Sequence, residues 1–356
     1  MNLNIKFNDK KLFSKFGLIV IFNLIIFVLF PLTTKIKSRK KIGVIGVRHE
    51  VNIGNNLIKY AISIKLKELG YIPYIIGTHW INSNITFIKQ NTNLVIIKKN
   101  FSEIKKDDYD VLMVNSDQTW RKFDENFYDY GFLRFAENWK IKKFVYGASL
   151  GSENWNLTKE DDKIAKNLLK NFTGISMREE GSISLVEQHL GIKCTHVLDP
   201  TLLIDRKYYL DIIKNYKGSI VMRKKYIFIY TIFQFDFFRK AIKRAKNFLK
   251  YETYYLALNI KSSIQNFIYY MVNSDAVITD SFHGLFNKPF ITIFDKSKAK
   301  GRFKSLSNIF GVGDRLFEKG QQINFHQLLK PLNIDYKSIN KLKQKSINFI
   351  KSNLEK

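Results

Sequence analysis

From residue 41 onward, short apolar runs alternate with longer amphipathic stretches, and this alternation constrains the fold more than any other feature of the chain. Ile42-Gly43-Val44-Ile45-Gly46-Val47 is apolar on both faces, as a strand buried inside a parallel sheet must be. A polar loop follows, and Gly54-Asn55-Asn56 opens a helix. Leu57, Ile58, Ala61, Ile62, Leu66 and Leu69 give that helix its apolar face, and Gly70 stops it. Tyr71 to Ile76 is the next strand, which completes a β-α-β unit. The same signals predict strands at 109–114 and 143–148, a helix at 159–172, a strand ending at Ser176-Met177, a helix at 182–190 and a strand closed by Pro200. A second series starts at Tyr226, with strands at 226–233, 252–260, 276–279 and 290–294 and helices at 235–249 and 264–273. The last stretch, 340–354, is an amphipathic, lysine-rich helix. The expectation is an α/β protein of two Rossmann-like lobes, 41–215 and 216–356, with the boundary near 205–225. A length of 356 residues suits two such domains. In open α/β sheets ligands sit at the carboxyl ends of the strands, so a cleft between the lobes is the expected site.

The first 40 residues form a separate segment. Phe16 to Leu32 is almost wholly apolar and is followed by Lys35, Lys37, Arg39, Lys40 and Lys41. As a helix it would rise about 25 Å, short for a hydrocarbon core of about 30 Å. Pro31-Leu32-Thr33-Thr34 makes a poor cleavage site, so a signal-anchor, an interfacial helix and a helix buried on the first lobe remain as readings. The basic cluster would hold the two lobes on the cytoplasmic face of the membrane.

Lys and Arg number 59 against 31 Asp and Glu, a formal net charge of +28. Such an excess attracts anions: lipid headgroups, phosphorylated substrates or nucleic acid. The lysines are spread evenly, as an AT-rich genome would also produce, and no nucleic-acid recognition module is visible. Cys194 is the single cysteine, so neither an intrachain disulfide nor a cysteine-based metal site is possible, and it is read as a packing residue. Walker A, HExxH and GxSxG patterns are absent, and no metal or cofactor is expected.

Several strand ends carry residues able to do chemistry. Val277-Ile278 runs into Thr279-Asp280-Ser281-Phe282-His283-Gly284, which places an acid/base group where a strand becomes a loop. Asp280 could orient the imidazole or hold the turn. Val111 to Val114 runs into Asn115-Ser116-Asp117-Gln118-Thr119-Trp120, whose polar groups suit a sugar or phosphate and whose indole either stacks on a sugar or fills the core. Ser176-Met177-Arg178-Glu179 brings up a guanidinium, suited to carboxylate or phosphate and equally to a surface pair with Glu179. Asp199-Pro200-Thr201 is read as a structural strand end. Arg302 and Arg315 follow the last strands, either to reach a phosphate or to lie solvated. His49 and Gly54 flank the first loop, where a helix start offers amides to an anion.

Six of these pieces stand in one order: Gly54-Asn55-Asn56-Leu57 with Tyr60-Ala61, then Ser116 to Trp120, then Tyr146-Gly147-Ala148-Ser149-Leu150-Gly151, then Ser176 to Glu179, then Leu198-Asp199-Pro200-Thr201-Leu202-Leu203, then Thr279 to Gly284. Together, from about residue 41 to the end, they resemble the polysaccharide pyruvyl transferase family. That resemblance implies two lobes in a GT-B-like arrangement, with the active site between them. It implies that phosphoenolpyruvate is the donor, that two hydroxyls of one sugar become a cyclic pyruvate ketal, and that phosphate leaves. The acceptor would be a sugar of a cell-surface polysaccharide or of its lipid-linked precursor. His283 matches the family's catalytic histidine and Arg178 one of its arginines. Ser116, Asp117, Gln118, Ser149, Asp280 and Ser281 would shape the substrate cleft. One position departs: some branches carry Arg-Leu-His where this chain has Ser281-Phe282-His283. Arg302 or a lysine would then supply the missing charge, or the donor differs. A nucleotide-sugar glycosyltransferase of the same architecture and a non-catalytic, membrane-bound glycan-assembly protein are the alternative readings.

Overall fold

The computed structural model describes residues 39–46, 52–78, 84–97, 100–220, 222, 224–233, 236–257, 262–284 and 288–355. The apolar segment 16–32 and His49 lie outside the described residues. Among the described residues no helix is long and apolar enough to cross a membrane. Residues from Lys40 onward form one compact unit.

In chain order the strands are β1 (Lys41–Ile45), β2 (Ile72–Thr78), β3 (Asn93–Ile97), β4 (Val111–Val114), β5 (Lys142–Ala148), β6 (Gly174–Met177), β7 (Thr195–His196), β8 (Tyr226–Thr231), β9 (Glu252–Ala257), β10 (Ala276–Thr279), β11 (Phe290–Phe294) and β12 (Leu316–Glu318). The α-helices are α1 (Ile53–Glu68), α2 (Ile85–Asn91), α3 (Phe127–Phe132), α4 (Lys159–Leu169), α5 (Gly181–Leu190), α6 (Arg206–Ile213), α7 (Asp236–Leu249), α8 (Ile264–Asn273), α9 (Lys296–Phe310) and α10 (Tyr336–Glu355). Among the described residues the strands form two sheets, ordered β3-β2-β1-β4-β5-β6-β7 and β12-β11-β10-β8-β9. Every pairing is parallel.

The order reverses between β1 and β4 in the first sheet and between β8 and β10 in the second. Chain leaving the two strands on either side of such a point diverges and opens a crevice at their carboxyl ends. The loop after β4 and the start of α1 stand at the first reversal, and the turn after β10 stands at the second.

The lobes share a core. Leu57, Tyr60 and Ala61 of α1 belong to one apolar cluster with Phe228 and Tyr230 of β8 and Phe267 and Ile268 of α8. The Asn84 side chain, just before α2, accepts a hydrogen bond from the Ile264 amide at the start of α8. The terminal helix α10, counted with the second lobe by sequence order, packs on the first. Ser346 accepts from the Leu198 amide, Asn353 accepts from Thr173, and the Phe349 ring lies 6.4 Å from those of Phe144 and Tyr146.

Arg315 takes neither of the roles expected of it. Its buried guanidinium donates to the carbonyls of Gln327, Lys330 and Pro331, where it closes the chain segment that leads to α10. Cys194 is a free, partly buried thiol, and burial pushes its pKa up to about 12, which leaves it protonated and unreactive at neutral pH.

Candidate active site

At the carboxyl end of β4 the chain turns sharply. Asp117 adopts a left-handed backbone, with φ of 97°, a conformation that costs energy for a residue with a side chain. Its carbonyl accepts from the Ser149 amide beyond β5, and Ser116 donates to the Gly147 carbonyl. Ser149 accepts from the Gly151 amide, and Gln118 accepts from Arg121. The serines thus brace the two loops against each other. Trp120 is no sugar platform: it is buried, donates to the Gly131 carbonyl and stacks on Phe132. The strained turn aims the Asp117 carboxylate at two partners, the Asn55 amide at the start of α1 (3.0 Å) and Arg178 (3.8 Å).

Arg178 follows β6 and is buried, so it forms no surface pair with Glu179. It donates to Glu179 (2.9 Å) and to Asp199 (3.0 Å), and its guanidinium carbon lies 5.4 Å from the Phe282 ring centre in the other lobe. Asp199 is more than the structural strand end that its local sequence suggests. It does cap the turn through the amide and hydroxyl of Thr201, but its second oxygen faces both Arg178 and, at 3.6 Å, Nε2 of His283. That distance is beyond hydrogen-bond reach. Among the described residues His283 Nε2 has no hydrogen-bond partner.

His283 sits in a single turn, Phe282–Gly284, directly after β10. Thr279 accepts from the Ser281 amide just before that turn, and Ser281 accepts from the amide of His283 itself. Asp280 ties the turn to the end of β8 by accepting from Thr231 and from the amides of Ile232 and Phe233. Its local sequence allows it either to orient the imidazole or to hold the turn, and these contacts are those of a turn holder. Across the lobes, the imidazole lies over Gly54. A Cβ added there would fall 2.2 Å from Nδ1. Gly54 therefore provides the space in which the first lobe meets the histidine of the second.

The electrostatics follow from burial and pairing. Burial pushes the Asp199 carboxyl up, but the charges of His283 and Arg178 and the Thr201 amide hold it well below the ordinary range. Burial likewise opposes ionisation of Asp117, and Arg178, Asn55 and His283 outweigh it. Burial alone would favour loss of the Arg178 proton, and Glu179, Asp199 and Asp117 reverse that. Arg302, on α9, is shifted down by burial and then by Arg178, with Arg121 adding to the effect. The site thus gathers arginines from both lobes. Burial opposes ionisation of Asp280 too, and its pKa is raised.

A carboxyl whose folded pKa lies below its unfolded value near 3.9 stabilises the fold above about pH 4, and the contribution is lost as pH falls through the folded value. Wild-type protein should therefore lose urea resistance steadily below about pH 4. Asp199→Asn should be less stable near neutrality and show a flatter dependence in acid. Parallel pH profiles of the two urea midpoints would contradict this pairing.

Among the described residues no group of three or more metal-ligating side chains occurs. What the cluster offers is an imidazole held beside a carboxylate, with guanidinium groups for an anion. Two parallel-sheet lobes bring these groups together at their strand ends. The fold is shared with the UDP-GlcNAc 2-epimerase of Neisseria meningitidis bound to UDP-GlcNAc, at 10% identity and a TM-score of 0.50 over 87% of this chain and 93% of that one. A glycosyltransferase of Rickettsia africae aligns over 89% of this chain and 94% of its own, at 11% identity and a TM-score of 0.43. None of the curated proteins matches the sequence. The polysaccharide pyruvyl transferase family model matches residues 52–293, and the chain belongs to that family.

Proposed function

We propose that this transferase moves a pyruvyl group from phosphoenolpyruvate to two hydroxyls of one sugar, in a cell-surface polysaccharide or its lipid-linked precursor. The observation that carries the reading is the meeting of His283 with the buried Arg178 at the strand ends of the two lobes, with Arg302 alongside. Phosphoenolpyruvate carries a carboxylate and a phosphate, and guanidinium groups in a water-poor cleft suit both. Protonation of its methylene carbon creates an oxocarbenium-like centre. One sugar hydroxyl adds to that carbon, inorganic phosphate leaves from it, and the second hydroxyl then closes the ketal. His283 is the group positioned to give and take the proton, with the Asp199 carboxylate beside it.

Position 281 carries a serine whose side chain is engaged in the histidine turn, so it contributes no charge to the donor. Arg302, electrostatically coupled to Arg178, is the cation that takes that part. Ser116 and Ser149 brace the cleft, and Asp117 and Gln118 hold Asn55 and Arg121 at its edge. The apolar segment 16–32, the basic residues after it and the net charge of +28 support a place at the cytoplasmic face of the membrane, where anionic lipid attracts basic segments.

The test is product analysis. Full-length protein is incubated with membrane glycolipid extract and either phosphoenolpyruvate or a panel of UDP- and GDP-sugars. A pyruvate ketal formed only from phosphoenolpyruvate supports the proposal. Glycosyl transfer from a nucleotide sugar, with phosphoenolpyruvate untouched, replaces it with a glycosyltransferase.

A further inference from the structure

Helices α1 and α6 of the first lobe and α8 of the second meet around an apolar cavity of about 260 Å³ that the chemistry above does not use. Leu57, Ile268, Met271 and Val272 form its walls. Thr201 and Tyr209 also line it, and their polar atoms are already engaged. The Thr201 hydroxyl donates to Asp199, and the Thr201 carbonyl accepts from the Tyr209 hydroxyl at 2.8 Å. These walls offer a ligand hydrocarbon contact rather than hydrogen bonds. An apolar cavity of this kind stays dry and takes hydrocarbon.

The mouth has the opposite chemistry. Arg206, at the start of α6, is exposed, and Lys288, just before β11, is half-buried. Neither is paired with a carboxylate among the described residues; Asp205, the neighbour of Arg206, faces Lys343 instead. Among the described residues no acidic side chain lines the cavity. Two unpaired cations at the opening of an apolar cavity fit an anion at the end of a hydrocarbon chain, and guanidinium and ammonium groups both suit phosphate. Leu210 and Tyr336, both exposed, extend the apolar surface outward from the opening.

The cavity adjoins the catalytic residues. Asp199 holds the Thr201 hydroxyl with Oδ1 and faces His283 with Oδ2. Leu57 stands about one helical turn after Gly54, over which the imidazole lies. We infer that the cavity binds the hydrocarbon chain of a lipid phosphate, with Arg206 and Lys288 holding the phosphate at its mouth. It thereby seats a lipid-linked acceptor beside His283. The inference rests on the transferase reading above, and it selects the lipid-linked precursor over the finished polysaccharide. Arg206 and Lys288 are binding residues and take no part in proton transfer.

The experiment locates the chain directly and needs no turnover. Full-length protein is irradiated with decyl phosphate that carries a diazirine on its hydrocarbon chain, below its micelle concentration, and labelled peptides are read by mass spectrometry. Wild type, Val272→Phe and Arg206→Glu/Lys288→Glu are compared. Phe fills the cavity from one wall, and the double variant reverses the charge of the mouth. Thermal unfolding checks that both variants fold. Labels are expected on α6 and α8, with a yield that falls about tenfold or more in each variant. The same label on decanol should fall in Val272→Phe and stay unchanged in the charge variant. Inorganic phosphate at equal concentration should displace neither label, and phosphoenolpyruvate affinity by calorimetry should stay within about threefold of wild type in both variants. Labelling of wild type only elsewhere overturns the inference, as does labelling of α6 and α8 that both variants retain. Displacement by inorganic phosphate would reduce the mouth to an anion site, and a loss in Val272→Phe alone would remove the phosphate from the account; either overturns it. A dimer that Val272→Phe dissociates, seen by sedimentation, would assign the cavity to a second copy and overturn it too. The expected labelling pattern alongside failed pyruvyl transfer would leave the cavity standing and remove only the donor.

Discussion

Gly54→Ala should abolish most turnover while the protein stays folded. The new Cβ would lie 2.2 Å from Nδ1, 2.7 Å from Cγ and 2.9 Å from Cε1 of His283. These atoms belong to a rigid ring, so the imidazole as a whole must move away. Misplacement of a catalytic group by about 1 Å costs about 100-fold in rate, and a similar or larger fall in kcat is expected here. The backbone should tolerate the change, because alanine favours the helix more than glycine does and Gly54 lies in the first turn of α1. Rate and thermal midpoint measured on the same preparation separate the two effects. An unchanged kcat would mean that the ring's position over Gly54 is of no consequence to the chemistry.

Arg178→Met should damage both stability and activity. Three carboxylates, Asp117, Glu179 and Asp199, face this one buried guanidinium at 3.8, 2.9 and 3.0 Å. Removing the cation leaves their charges buried without it. Breaking a buried pair in this way costs about 3–5 kcal/mol. Urea denaturation should show the loss directly, and binding of phosphoenolpyruvate should vanish. The double variant Arg178→Met/Asp199→Asn should recover part of the stability and none of the activity, because neutralising Asp199 relieves an unpaired charge without restoring an anion site. Recovery of activity in the double variant would show that Arg178 acts only by neutralising Asp199.

Much of this site is legible in the sequence because a parallel sheet announces its strand ends. An apolar run that stops at small polar residues marks the place where side chains leave the core, and Asp117, Arg178 and His283 all follow such runs. Other features depend on contacts distant in the chain. Asp199 precedes a proline, which is the local signature of a capped turn; its second oxygen, turned toward Arg178 and His283, has no local signature. Gly54 stands out as a helix start, yet its use is to make room for a ring 229 positions later in the sequence. Trp120 takes the core role of its two readings and Arg315 neither of its two, since residue types suited to ligands also serve as buried structural donors. The helix α9 lacks a clean apolar period, with five basic residues in its fifteen, so the strand pattern around it is visible and the helix itself is not. It nevertheless carries Arg302, whose charge couples to that of Arg178.

If His283, brought to Asp199 and Arg178 by the meeting of the two lobes, drives acceptor-dependent cleavage of phosphoenolpyruvate, its removal must stop that cleavage. The most direct measurement is phosphate release from phosphoenolpyruvate by full-length protein, with and without membrane glycolipid extract, for wild type and His283→Ala. Release should require the extract and should fall about 100-fold or more in the variant. Release that persists in a folded His283→Ala protein would contradict this role for the histidine.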